Sequence, residues 1–422
     1  MKRIFYGLLF FLCLVFVAVL FFQDYIYIFD QNFSQQSELN DNDKEDFSSQ
    51  LKESPEMRAC WFSYLEWQLL LKNKDEKQFV ETVRGIFNNL RSCGINTLML
   101  HLRAFGDAFY ESPTSPVSKY FNENLGENLK FDPLKIIIDI ARENNISIHG
   151  WINPLRTMSD EDFSKISNNY IIKKWYLAEN RRDYYMKDLT GKYILIPTNP
   201  DVQQFIVEVV DEILNKYALD GIHIDDYFYP SKIDTLQEND IDYYNKVKPN
   251  CDINTWRRNG TSNLVKAMCN KCHEKNSNIK FGVSPQANLK NNYDSMFIDV
   301  KLWLSESGYL DYIMPQIYFG FDNSSHPFDK TVDDWNNLIK NNAELYVGMA
   351  VYKVGMDNDQ HAGMGAKEWK NNTDILKRQE ECCRKYKKYK GYCLYSYQSI
   401  FQADGNLNLK SKQEIENLNS LF

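Results

Sequence analysis

The 422-residue sequence has no long basic run, and its 49 Lys and Arg are outnumbered by 57 Asp and Glu, for a net charge of −8. Nucleic acid as a partner would require a cationic footprint that this chain lacks. Glycine is scarce, at 18 residues, and no G-x-G-x-x-G turn follows any strand candidate. That removes the phosphate-cradling signature of a dinucleotide-binding sheet. No strand candidate carries an H-x-H pair of the kind that would offer two imidazoles to one zinc ion. The nine cysteines are an odd number, which argues against a fully paired disulfide framework. Cys269-Asn270-Lys271-Cys272-His273 has the C-x-x-C-H spacing of covalent haem attachment. Yet Leu264, Val265, Met268, Cys269 and Cys272 share one helical stripe, so both thiols read as small core side chains. No cofactor is expected.

What is present is the profile of a folded protein, 43% hydrophobic and 25% charged. Aromatics reach 14%, with 8 Trp and 27 Tyr, an excess that suits sugar stacking and an aromatic core equally. The N-terminus differs from the rest. After Lys2 and Arg3 comes an apolar run from Ile4 to Phe22, long enough to cross a bilayer as a helix, with the basic pair held on the cytoplasmic side. Small residues of a signal-peptidase site are missing before Gln23, so an uncleaved anchor is favoured over a secreted form. The expected organisation is a signal anchor over 1–28, a polar, acidic, flexible tether over 29–55, and one extracytoplasmic domain over 56–422.

From Pro55 onward a β-rich run alternates with a helical spacing. Strand candidates begin at Arg58, Thr97, Ile146, Gly221, Lys280, Asp311, Leu345 and Gly391. Between them, Phe79, Val83, Ile86, Phe87 and Leu90 repeat at helical spacing, as do Val202, Phe205, Ile206, Val209, Val210, Ile213 and Leu214. Asn199 followed by Pro200 reads as a helix start. Eight such units predict an α/β fold of the (β/α)8 (TIM) barrel class.

In that fold chemistry collects where strands end. GIHIDDYFYP, Gly221 to Pro230, ends an apolar strand in two adjacent carboxylates, whose repulsion costs free energy in every folded molecule. If Ile222 and Ile224 face the helices, His223 and Asp225 face the barrel axis. Two carboxylates this close keep one acid protonated near neutral pH beside a charged partner, which is the division of labour that glycoside hydrolysis requires. Other strand ends gather His101, Arg103 and Asp107, then His149, Trp151 and Asn153, then Ser284 and Gln286, Gln316 and Tyr318, and Tyr395 and Tyr397.

The stretches RACWFS, RAFGDAFYES, GWINPLR, DGIHIDDYFYP, WRRNGTSNLV, FGVSPQ and DYIMPQIYFG carry a specific resemblance. Over Arg58 to about Tyr352 the chain resembles the glycosyl hydrolase-like 10 family of extracytoplasmic bacterial barrels. Ala104 and Phe105 replace the more usual proline-containing pair, and the match weakens beyond Lys353. The resemblance implies hydrolysis of glycosidic bonds in a cell-surface polysaccharide, with peptidoglycan glycan strands as the candidate. It places Arg103, Asp107, Asn153, Asp225, Asp226, Gln316 and Tyr318 in strand-end motifs. Strand four also looks like a distant relative of the chitinase-type D-G-x-D-x-D-x-E pattern. Tyr227 stands where that pattern has its glutamate, so its mechanism does not transfer as written.

The resulting expectation makes Asp225, with Asp226 or Asp107, the acid and the nucleophile or base. Arg103 would hold one of them ionised, and Trp151, Tyr227 and Tyr318 would form sugar-stacking walls. Asn153 and Gln316 would bond sugar hydroxyls, and His223 would join the substrate-binding set. Two rival readings are a metal-dependent hydrolase or deacetylase built on His101, His149, His223 and Asp225, and a glycan-binding barrel without turnover.

Overall fold

Eight parallel strands close into a barrel in the computed structural model, which describes residues 56–422. The apolar run and the tether lie outside the described residues; within them no helix is long and apolar enough to cross a membrane. The strands are β1 (Met57–Phe62), β2 (Thr97–Arg103), β3 (Ser147–Ile152), β4 (Gly221–Ile224), β5 (Lys280–Val283), β6 (Tyr312–Ile313), β7 (Glu344–Met349) and β8 (Tyr389–Leu394). Each pairs with its chain neighbours, and β8 closes on β1 through Met57↔Gly391 to Cys60↔Leu394. The main helices are α1 (Glu76–Ser92), α2 (Pro133–Glu143), α3 (Pro200–Lys216), α4 (Ile253–Lys275), α5 (Val300–Ser305), α6 (Phe328–Leu338), α7 (Ile375–Cys383) and α8 (Lys412–Asn419).

Local chemistry sets the helix ends. Asp75 and Gln78 form a capping box at α1, and Asn199 caps α3 with Pro200 in its first turn. The stripes predicted for α1 and α3 are buried, save Leu214, which is half-buried. In α4, Met268, Cys269 and Cys272 are core residues, and all eight cysteines from Cys60 to Cys393 are free. Glu414, in α8, accepts the backbone N–H groups of Ile375 and Leu376 at the start of α7 at 3.0 Å each, which ties the C-terminal helix to the barrel.

Two features depart from the sequence expectation. Strand β6, expected from Asp311, has only two residues, because Pro315 has no N–H to continue the ladder; Gln316 beyond it makes isolated bridges to Gln286 and Gly348. A small antiparallel sheet of Arg156–Ser159, Lys192–Leu195 and Tyr185–Lys187 fills the connection between β3 and α3. Its hairpin turns at Asp188, whose side chain accepts Thr190 N–H, and at Gly191, whose φ of +81° is left-handed.

The barrel interior is packed by Ala59, Trp61, Met99, Trp151, Tyr312, Met314, Tyr346 and Cys393. Tyr312 crosses this space only because β5 offers Gly282 opposite it: a Cβ there would lie 2.0 Å from the phenol ring. Gly282→Ala is therefore expected to cost about 1–3 kcal/mol of stability through overpacking, read as a lowered midpoint in chemical denaturation.

Candidate active site

Strand β4 ends at Ile224, and Asp225 and Asp226 follow at the barrel mouth. The predicted alternation holds: Ile222 and Ile224 belong to the outer core, while Asp225 lines the central cavity. Asp226 lines it as well. Both are nearly covered, at 4% and 8% exposure.

Each carboxylate is fixed by its own set of donors. Asn153 Nδ2 lies 2.6 Å from both oxygens of Asp225, Trp151 Nε1–H donates to Oδ2 at 3.1 Å, and the Tyr227 N–H donates to Oδ1 at 3.2 Å. Asp226 receives Gln286 at 2.8 Å on Oδ2 and Gln316 at 3.1 Å on Oδ1. Gln316 also donates to the Ser284 carbonyl at 3.0 Å, so its amide cannot turn without losing two partners.

Behind these donors stand neutral histidines. The Tyr64 N–H points at His101 Nδ1 (3.3 Å), so the ring proton sits on Nε2, which donates to Asn153 Oδ1 at 2.9 Å. The same ring stacks on Trp151 with centroids 4.0 Å apart. His101 thus orients both side chains that grip Asp225. Deeper in the barrel, Trp61 Nε1–H donates to His223 Nε2 at 3.1 Å, leaving His223 Nδ1–H to donate to the Tyr312 hydroxyl at 3.1 Å. That hydroxyl in turn donates to His149 Nδ1 at 3.0 Å. Burial pushes His101 down to about 3 and His149 down to about 4, and lowers His223 well below the usual histidine range. All three are neutral at physiological pH, and none keeps a free lone pair for a metal ion.

Several sequence expectations are corrected here. His223 is fully buried beneath the cavity and cannot touch substrate. Asn153 is also fully buried; it serves Asp225 rather than a sugar hydroxyl. Arg103 does not pair with either acid: it is buried, donates to the carbonyls of Asn153 and Pro154 at 2.8 and 2.9 Å, and faces the Phe205 ring of α3. A register shift in β2 between His101 and Arg103 turns it away from the axis. Asp107, expected as a second catalytic carboxylate, accepts the N–H groups of Phe105 (2.7 Å) and Ala104 (3.3 Å) and holds its own loop, 2% exposed.

Trp151, Tyr227, Gln316 and Tyr318 do line the cavity, although His101 occupies one face of Trp151. Sequence reasoning missed Trp61, Tyr64, Arg156 and Tyr352, and noted Tyr395 only as a strand end. Tyr318, Tyr352 and Tyr395 pack mutually at 5.8–6.1 Å and make one wall. On another side the Arg156 guanidinium stacks against Phe105 at 4.3 Å and Tyr227 at 4.2 Å. Arg156 ends the GWINPLR stretch, and an arginine closing a strand-end motif was the available signal.

The electrostatics follow from this geometry. Burial raises both carboxyls, and the charge of Asp226 helps lift Asp225 to about 7; Arg156, Asn153 and the Tyr227 N–H oppose that rise. The two titrate as a couple that retains one proton near neutral pH.

Residues 56–364 match the family described as Glycosyl hydrolase-like 10. The chain belongs to that family. It is 30% identical over 340 residues to the glycosyl hydrolase YngK of Bacillus subtilis (strain 168), covering 74% of this chain and 64% of that protein. To the glycosyl hydrolase DigH of Escherichia coli (strain K12) it is 28% identical over 353 residues, covering 76% of this chain and 80% of the relative. Among solved structures, the glycoside hydrolase domain of PgaB (BpsB) from Bordetella bronchiseptica superposes with a TM-score of 0.53 at 12% identity, covering 86% of this chain and 99% of that domain. The catalytic domain of a Paenibacillus polymyxa β-amylase does so with 0.53 at 11%, covering 87% and 99%. These two likenesses show the barrel fold.

A carboxyl with a higher pKa in the folded chain than in the unfolded one contributes stability below the unfolded value, and that contribution is lost as pH rises through the folded value. The native protein is therefore expected to lose stability between about pH 4 and about pH 7 relative to Asp226→Asn, in which the repulsion is gone. Thermal midpoints of the two proteins measured across that range should converge at the acid end and separate toward pH 7.

Proposed function

We propose that this protein hydrolyses O-glycosidic bonds of a cell-surface polysaccharide, with peptidoglycan glycan strands as the candidate, using Asp225 and Asp226 as a proton-sharing pair. The single observation that carries this reading is the buried carboxylate couple at the cavity floor, each member held by separate donors. A couple with one proton offers a protonated carboxyl to the glycosidic oxygen and a carboxylate to face the positive charge that develops at the anomeric carbon. Trp151 and Asn153 keep Asp225 in place through that charge movement, and Gln286 and Gln316 do the same for Asp226. Support also comes from the family and from relatives that are named glycosyl hydrolases. A purely glycan-binding barrel would gain nothing from the repulsion it has to bury. The Ile4 to Phe22 run, with Lys2 and Arg3 before it, supports an extracytoplasmic domain anchored to the cell membrane by the N-terminal segment, with 29–55 as the proposed tether.

Asp225→Asn and Asp226→Asn should each lower reducing-end release from glycan strands by about 10²–10⁴-fold, with melting temperatures that show a folded protein. Turnover at the native rate in either variant would contradict the assignment. Mass analysis of the released fragments identifies the bond that is cut.

A further inference from the structure

Arg156 has no role in the reading above beyond its charge. It lines the cavity that holds both acids, yet no carboxylate of the described residues forms an ion pair or hydrogen bond with it; Asp225 and Asp226 feel it only through space. Its guanidinium is held between two aromatic rings, Phe105 and Tyr227. Stacking of that kind occupies the faces of the group and leaves its N–H edge open, and that edge is the part that binds a carboxylate through two parallel hydrogen bonds. The backbone under it is fixed, because Arg156 pairs with Ile194 in the small sheet and Leu195 N–H donates to the Leu155 carbonyl at 2.8 Å.

A second cation stands beside it. Lys192, from the neighbouring strand, places its ammonium 4.0 Å from the centre of the same Phe105 ring and forms no ion pair among the described residues. Burial and the charge of Arg156 both lower its pKa, so the two cations repel each other across a half-buried space. Two cations without an ion partner among the described residues, Arg156 lining the cavity and Lys192 against the same Phe105 ring, carry a repulsion that a bound anion would relieve.

We infer that Arg156, assisted by Lys192, forms an anion subsite that recognises a carboxylate carried by the glycan beside the scissile bond. This rests on the hydrolytic reading for the position of that bond, although the subsite can be tested by binding alone. The carboxylate could belong to a lactyl ether on an amino sugar or to a uronic acid, and both present the same planar acceptor to the guanidinium edge.

The experiment uses the full-length chain carrying Asp226→Asn, so that ligand persists, with and without Arg156→Gln or Arg156→Lys. Four probes are titrated by calorimetry: a peptide-free tetrasaccharide of alternating N-acetylglucosamine and N-acetylmuramic acid, a hyaluronan tetrasaccharide, and the methyl ester of each. One acid should bind about ten- to a hundredfold more tightly than its own ester. Arg156→Gln should bring that ratio to about one, and Arg156→Lys, a point charge without the fork, should keep part of it. Preference for the muramyl probe places the carboxylate on the lactyl ether, and preference for hyaluronan places it on the sugar ring. Equal affinity for acid and ester in both pairs overturns the inference, as does a preference that survives Arg156→Gln. Hydrolysis by the chain with native Asp226 separates the two claims: an Arg156-dependent preference without reducing-end release leaves the subsite standing and removes the hydrolytic reading. Cleavage of acid and ester with equal kcat/KM does the reverse.

Discussion

Two carboxyl groups buried next to each other are the constraint around which this barrel is organised. Removing a carboxylate from water costs several kcal/mol even after relaxation, and a second one beside it adds repulsion. The structure answers with fixed donors rather than with a salt bridge. Trp151, Asn153 and the Tyr227 N–H converge on Asp225, while Gln286 and Gln316 converge on Asp226. Hydrogen bonds to a charged group each contribute about 1.5–3 kcal/mol. They also hold the oxygens in position without neutralising them, as a directly paired arginine would do. The couple therefore stays able to lose and regain a proton.

Donors can hold a charge only if they are themselves held. His101 fixes Asn153 by a hydrogen bond and Trp151 by stacking, and it does so as a neutral ring whose tautomer is set by the Tyr64 N–H. Beneath this layer, Trp61, His223, Tyr312 and His149 form a directional chain in which Trp61 donates to His223, His223 to Tyr312 and Tyr312 to His149. Such a plug adds no charge beneath the acids, whose burial keeps their pKa values high. Gly282 is what allows Tyr312 to close the chain.

The sequence makes the frame of this arrangement readable and hides its wiring. Eight β-rich runs at regular intervals, and the inward turn of Asp225 against Ile222 and Ile224, follow from periods that any strand or helix imposes. Which polar group meets which is a different matter. Asn153 lies 72 residues from Asp225, and Gln316 lies 90 from Asp226. Nothing in local spacing distinguishes a strand-end Asn that touches sugar from one that holds a carboxylate. The same limit explains Arg103 and Asp107: both sit in motifs at the right end of β2, but a one-residue register shift and a tight loop turn them into the scaffold. The small sheet that carries Arg156 has short strands joined by a hairpin, too brief to stand out between two long barrel elements.

Arg156 also couples the two halves of the cavity. Its charge lowers the pKa of both acids through space, and so favours loss of the shared proton. An anionic group seated on the guanidinium would cancel that influence and add negative potential of its own. Both effects raise the carboxyl pKa values, so the couple would hold its proton to higher pH when an acidic glycan is in place than when the cavity is empty. On the proposed reading, specificity and acid strength then share one physical origin. A neutral glycan leaves Arg156 uncompensated and the acid partly discharged at neutral pH, whereas an acidic one loads the proton that the glycosidic oxygen must receive. The rings of Phe105 and Tyr227 suit this role, because they hold the cation in place by its faces without supplying the negative charge that would make it indifferent to substrate.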